Sequence, residues 1–128
     1  MTAMGTNDPE LAAGCLAPDA CAVAKGYGKF AGARQASVMV GMIDEFKKIM
    51  PTGLRFTIKS VTASDDRVAI EAEGNALTAL GTSYHNQYCF VFTRADGKIK
   101  QVNEYFCTVH ADEVLWPLIE SHAQATAS

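Results

Sequence analysis

Hydrophobic positions along the chain change period, and the change divides it into helical and extended parts. Ala36, Met39, Val40, Ile43, Phe46, Ile49 and Met50 recur every three to four residues, while Arg34, Gln35, Asp44, Lys47 and Lys48 fall mostly on the other side. This pattern predicts an amphipathic helix running from Ala33 until Pro51 and Gly53 end it. Beyond Gly53 the period becomes two. Leu54, Phe56 and Ile58 alternate with Arg55, Thr57 and Lys59, and Ser64-Asp65-Asp66 reads as a tight turn. Val68, Ile70 and Ala72 then alternate with Ala69, Glu71 and Glu73. After a break over 75–81 comes the aromatic run SYHNQYCFVF, and Ala95-Asp96-Gly97 carries the Asp-Gly hairpin signal before the returning run KIKQVNEYFCTVH.

The N-terminal part is shorter in its signals. Asn7-Asp8-Pro9-Glu10 reads as a helix start, with Asn7 or Asp8 as N-cap and Pro9 in the first turn, and Pro18 closes that short helix. Cys21 to Lys25 reads as a small strand, and Gly26, Gly28 and Gly32 mark a loop around Tyr27 and Phe30. Ala111 to about His122, with Trp116 inside, reads as a closing helix. Helices followed by a four-strand antiparallel meander predict an α+β fold of one domain over residues 1–128, with the long helix laid across one face of a curled sheet. A curled sheet under a helix leaves a cone with an open mouth.

Composition narrows the function classes. Of 128 residues, 48% are hydrophobic and 20% charged, an ordinary globular balance. Eleven Lys and Arg against fourteen Asp and Glu leave a net charge of −3, without the basic footprint of a nucleic-acid binder. The first ten residues, MTAMGTNDPE, hold neither the basic nor the apolar region of a signal peptide, and no apolar run is long enough to span a membrane. The expected setting is therefore cytoplasmic, and Cys15, Cys21, Cys89 and Cys107 are expected as free thiols, most of them buried as small apolar groups. No C-x-x-C occurs, and His85, His110 and His122 share no metal-ligand spacing with the cysteines, so no metal site is expected.

The stretch YHNQYCFVFTRADGKIKQVNEYFCTVHADEVL, with its F-V-F strand end, D-G-K-I turn and N-E-Y-x-x-T-x-H ending, resembles the SnoaL-like part of the nuclear transport factor two-like superfamily. NDPELAAGCLAPDA and KFAG are similar to that family's first-helix end and to the loop before its long helix. The resemblance covers almost the whole chain in order. It implies a cone-shaped α+β barrel with an apolar pocket for a small, largely apolar ligand, and frequently a homodimer formed through the outer face of the sheet. It also implies a full first helix ahead of the N-D-P-E segment, where only six residues stand, so the expectation is either a shortened first helix or a start further upstream. Superfamily members include ketosteroid isomerases, polyketide cyclases, limonene-epoxide hydrolases, dehydratases and non-catalytic binding modules, so an enzyme and a binding domain both remain open. The reactions of this group rely on carboxylates and hydroxyls, which implies no cofactor.

By that resemblance Glu104 matches the acidic pocket residue of the epoxide hydrolases. Among Phe106, Tyr88 and Phe90 its carboxyl would be desolvated and raised in pKa, as a general acid or base needs; the alternative is a rim carboxylate paired with Lys98 or Lys100. Tyr88 matches the isomerase position where a donor stabilises an enolate; the alternative is a core tyrosine bonded to a neighbour. Glu73 and Asn75, with Glu71 on the same strand face, fall where the hydrolases carry an Arg and an Asp, and Ala22 and Ala24 stand near those enzymes' Tyr and Asn. The isomerase base position, in CAVAKGYG, holds no carboxylate, leaving Asp19 as a remote substitute. Cys107, where many relatives have Asp, is expected as a buried filler. Phe30, Phe46, Asn86, Phe90 and Phe106 are expected to shape the pocket, with Glu73 and Asn75 joining them as binding residues, and Met42 reaching it from the helix. His110 is expected to make a local hydrogen bond.

Overall fold

The computed structural model describes Gly5 and residues 9–127. In chain order these form α1 (Pro9–Cys15), β1 (Leu16–Ala24), β2 (Gly32–Gln35), α2 (Ala36–Ile49), β3 (Arg55–Ser64), β4 (Arg67–Leu77), β5 (Ser83–Ala95), β6 (Lys98–Phe106), α3 (Thr108–Val114) and α4 (Trp116–Ala127). The six strands make one sheet in the order β2-β1-β6-β5-β4-β3, with β2 and β3 as unjoined edges. The architecture is the α+β arrangement expected, a curled open sheet with helices on its inner side. The expected N-caps Asn7 and Asp8 lie outside the described residues.

The meander β3 to β6 is antiparallel throughout, and its turns follow local chemistry. Asp96 and Gly97 both take positive φ, 53° and 75°, which matches the right-handed twist of the strands they join. Asp65, at φ 51°, begins the equivalent turn between β3 and β4. Register slips between Ile58 and Ser60 in β3 and between Thr93 and Arg94 in β5 add bends to a sheet that must curl.

Four features differ from the pattern reading. First, β1 is longer than Cys21–Lys25 and pairs parallel to β6, with no ladder partner between Leu16 and Cys21. Pro18 sits in that gap, where its missing N–H costs no ladder bond. Second, the long helix begins at Ala36 instead of Ala33, because Gly32 to Gln35 pair antiparallel with Ala24 to Cys21 as β2. Four residues are too few to show a period of two. Third, the closing helix starts early at Thr108 and is broken at Leu115, next to Pro117, whose ring fits only the first turn of a new helix. Fourth, none of the four free cysteines is buried: Cys15 and Cys107 are exposed, and Cys21 and Cys89 are half-buried. Cys107 is not a core filler, since the strand ends before it and it becomes the cap residue of α3.

The inner face of the sheet alternates small and large rows. Ala20, Ala22 and Ala24 of β1 are buried, as are Ala72 and Gly74 of β4. Between them β5 turns Tyr84, Asn86, Tyr88, Phe90 and Phe92 inward, and β6 adds Val102, Glu104 and Phe106. Tyr88 pairs with Ala72 and leans over Gly74, where a Cβ would stand 2.7 Å from its ring and 3.1 Å from Leu54. Its ring cannot give way. It stacks on Phe90 (centroids 5.4 Å apart), meets Phe56 edge-on (5.2 Å) and touches Phe106 (5.6 Å). Gly74→Ala is therefore expected to lower stability by about 1–3 kcal/mol through overpacking, read as a shift in urea midpoint. An unchanged midpoint would show that the Tyr88 row is loosely held.

Candidate functional site

A cavity of about 450 Å3, partly open to solvent, lies between α2 and the inner face of β1, β6 and β5. Met39, Met42, Ile43 and Phe46 of α2 and its C-cap residue Met50 form one wall, so more of that helix than Met42 and Phe46 lines the cavity. Phe30, Phe90, Phe92 and Phe106 line other parts of it, and Ala22 and Ala24 widen the β1 side. Phe30 is held from behind. Its ring meets Trp116 edge-on at 5.4 Å, and the backbone N–H of Lys29 donates to both carboxylate oxygens of Asp112 at 3.1 Å.

Few titratable groups interrupt this lining: Cys15, Arg34, Tyr84, Tyr88 and Glu104. Glu104 lies opposite Phe90 across the β5–β6 ladder, so Tyr88, opposite Phe106, is its diagonal neighbour on the same face. The lysines that could have drawn Glu104 outward are engaged elsewhere. Lys98 donates to the Gly14 carbonyl, and Lys100 lies 3.7 Å from Asp19. Burial pushes the Glu104 carboxyl above the usual carboxylate range, and the Arg34 guanidinium on the same wall pulls it partly back.

Hydrogen bonding ties a buried amide to the tyrosine pair of the cavity wall. The Asn86 amide, buried to 2% exposure, donates from Nδ2 to the Cys107 carbonyl and to the Tyr84 hydroxyl, both at 2.9 Å, and its Oδ1 accepts the Gln87 N–H at 2.8 Å. A carbonyl can only accept and a backbone N–H can only donate, so this amide has one orientation. Tyr84 and Tyr88 hydroxyls are 2.6 Å apart. One phenolic proton lies between the two hydroxyls, and since both tyrosines line the cavity the other phenolic O–H is left for it. Burial, reinforced by Tyr84, pushes the Tyr88 phenol far above its ordinary value, so it remains an O–H donor. Burial also raises Tyr84, against the lowering effect of its bonds to Tyr88 and Asn86.

Of the residues singled out from sequence, the structure brings Phe30, Phe46, Tyr88, Phe90, Glu104 and Phe106 to one cavity. Asn86 is placed behind the wall, one hydrogen bond from Tyr84. Glu73 and Asn75 are not brought there. They alternate with the inward Ala72 and Gly74, Asn75 is exposed, and Glu73 Oε2 lies 3.7 Å from both Lys59 Nζ and His85 Nε2 on the outer face. Glu71 and Asp19 are exposed as well. His110 stacks on Tyr84 with centroids 5.4 Å apart, and its buried Nε2 has no hydrogen-bond partner among the described residues, contrary to the local bond expected. Arg34, Tyr84 and Phe92 line the cavity without having been singled out. The inward parity of Tyr84 and Phe92 with Tyr88 was present in the sequence, whereas Arg34 depends on β2, which was not. Among the described residues no cluster of three or more His, Cys, Asp or Glu side chains could hold a metal ion, and no helix is long and apolar enough to cross a membrane.

Comparison with known proteins gives three kinds of result. The family model of the SnoaL-like domain matches residues 1–102. No curated protein matches the sequence. Among solved structures, PrhC from Penicillium brasilianum superposes with a TM-score of 0.83 at 16% identity, over 95% of this chain and 84% of its own. A protein of ketosteroid isomerase-like fold from Catenulispora acidiphila, solved in complex with trimethylamine, gives 0.71 at 15% identity, over 81% of this chain and 78% of its own. A phenazine biosynthesis-related protein from Pseudomonas aeruginosa gives 0.71 at 18% identity, over 86% and 72% respectively. At these identities the likeness shows a shared fold.

The raised Glu104 carboxyl has a consequence for stability. Folded protein holds the proton to higher pH than unfolded chain, so between the two pKa values the native state binds more protons and stability falls as pH rises. Glu104→Gln removes that slope. Its melting temperature is expected to equal wild type below the ordinary carboxylate value and to exceed it increasingly as pH rises through the folded value, after which the gap is constant. A gap that does not grow with pH would place the carboxylate in water.

Proposed function

The chain belongs to the SnoaL-like domain family, and from that premise we propose that it is an acid/base enzyme of isomerase or cyclase type, acting on a small, largely apolar carbonyl compound. The observation that carries this reading is the pairing of Glu104 and Tyr88 on one inner face of adjacent strands in a single apolar cavity. Diagonal cross-strand neighbours stand roughly 7–8 Å apart at the backbone, which leaves room for a carbonyl group and its α-carbon between the two side chains. With the carbonyl oxygen on the Tyr88 hydroxyl, an α-proton lies toward Glu104.

The chemistry follows from the two environments. Ionised Glu104 takes a proton from the α-carbon; the C–H electron pair becomes the enolate C=C, and the negative charge moves to the oxygen. Tyr88 donates to that oxygen, with the Asn86–Tyr84 bonds polarising its O–H. Returning the proton to another carbon gives isomerisation. Attack of the enolate carbon on a second electrophilic carbon of the same ligand gives cyclisation. The epoxide-hydrolase alternative lacks its side chains in the cavity, since Glu73 and Asn75 lie outside it and Ala22 and Ala24 occupy the wall. A homodimer, if formed through the outer face as in the family, would bury the exposed Tyr105 and leave this cavity untouched.

The experiment uses 2-tetralone, an apolar cyclic ketone, and follows exchange of its α-protons in D2O by NMR. Wild type is expected to accelerate exchange, with the rate rising with pH until Glu104 is fully ionised. Glu104→Gln should lose about 10²–10⁴-fold, and Tyr88→Phe about 10²–10³-fold. Exchange at the solvent rate while tetralone binds would mean a binding module instead. Exchange that survives Glu104→Gln would remove Glu104 from the mechanism.

A further inference from the structure

The cavity wall carries a full positive charge that the acid/base scheme does not use. Arg34, on β2 opposite Ala22 of β1, faces the cavity. Its guanidinium donates from Nη2 to the Phe30 carbonyl at 2.7 Å and from Nη1, at 3.4 Å, to the Gly32 carbonyl. These two bonds orient the group and do nothing to neutralise it. Among the described residues no carboxylate lies within ion-pair distance of Arg34; Glu104, on the same wall, feels its field without contact. An arginine oriented by backbone carbonyls, half-buried and without a counterion in an apolar recess, is a preformed anion site with its remaining N–H donors unused.

We propose that the ligand of this cavity is an amphipathic organic monoacid, its carboxylate held by Arg34 and its apolar body lying along the α2 wall and the aromatic row of β5. The charge count selects a monoanion. One arginine balances one carboxylate, and among the described residues no lysine or second arginine lines the cavity to balance the further charge of a phosphate dianion. Planar fork geometry suits a carboxylate, which accepts two parallel N–H bonds. The volume, about 450 Å3, holds an apolar body of one or two fused rings beside the acid group. Substrate for the proposed reaction is then a keto acid, anchored at Arg34 and presented to Glu104 and Tyr88.

The inference rests on the cavity being the reaction site, and it adds a linkage between ligand and proton. Among the described residues the titratable groups lining the cavity with Glu104 are Arg34 from β2, Tyr84 and Tyr88 from β5 and Cys15 at the end of α1, while α2 contributes only apolar side chains; the positive charge of the N-terminus also acts on the Glu104 carboxyl. A ligand carboxylate on Arg34 offsets the one positive charge in that lining set. Bound acid therefore favours neutral Glu104, and binding draws a proton from solution at pH values near the Glu104 titration.

Titration calorimetry of the full chain with 2-naphthoate and its neutral isostere 2-naphthamide tests this. Wild type should bind the acid about tenfold or more tightly than the amide, with proton uptake revealed by a binding enthalpy that varies with buffer ionisation enthalpy. Arg34→Met should bring the two ligands to parity, and Arg34→Lys should restore part of the preference. Glu104→Gln should strengthen the acid relative to the amide and abolish the proton uptake. Equal affinity of wild type for both ligands overturns the carboxylate assignment and leaves the proposed reaction standing. A preference that persists in folded Arg34→Met overturns the role of Arg34. If Arg34→Met does not fold, the wild-type ratio and its response to Glu104→Gln still decide. Failure of both ligands to bind overturns the cavity as a ligand site, and the proposed function with it.

Discussion

A buried amide with a single orientation anchors the polar strip of the cavity wall. Asn86 faces a carbonyl that can only accept and a backbone N–H that can only donate, so its remaining N–H must go to Tyr84. From that point the bonded chain continues through the Tyr84 hydroxyl to Tyr88. The same bond to Cys107 ties the middle of β5 to the point where β6 turns into α3, far along the chain. The placement of the tyrosine pair and the join between β5 and α3 therefore share one cause. A network in which every buried member is satisfied is worth keeping, because loss of any one leaves an unpaired group in a low-dielectric interior.

Set against this polar strip is a large apolar cavity. A dry, sealed void of the observed 450 Å3 would forfeit on the order of 10 kcal/mol at about 24 cal/mol per Å3. That is as large as the whole stability of an ordinary domain, about 5–15 kcal/mol. The fold meets this cost by geometry. The space opens to solvent on one side, and its walls are braced from behind by contacts such as Phe30 on Trp116 and Tyr88 on Phe56, which do not depend on the cavity being filled. The small row of β1 creates the room; the large row of β5 keeps it from collapsing.

Period and turn chemistry made much of this legible beforehand. The α2 stripe, the four-strand meander and the Asp-Gly hairpin all express local rules, and parity along β5 and β6 places Tyr88, Phe90, Glu104 and Phe106 on one face. What local rules could not carry were pairings made at a distance. β1 lies parallel to a strand from the other end of the chain, and β2 exists only because β1 offers it an edge. Arg34 went unnoticed for that reason: beside a helical pattern it reads as a solvent charge, and only the β1–β2 ladder turns it to the cavity. Glu73 and Asn75 show the opposite case. A family match suggested a site for them, while the alternation with Ala72 and Gly74 already pointed them outward.

The slip between Ile58 and Ser60 bends the sheet, and it also lies on an exposed edge. β3 is a long edge strand with almost every residue exposed, and such an edge invites another chain to add a strand. A flat ladder would offer continuous unpaired N–H and C=O groups along its length. The bulge interrupts that template midway, and Arg55 and Lys59 place positive charge along it, with Lys59 tethered near Glu73 of the adjacent strand. The opposite edge, β2, is protected by brevity. Curvature that shapes a cavity on the inside thus doubles as a guard against open-ended aggregation on the outside.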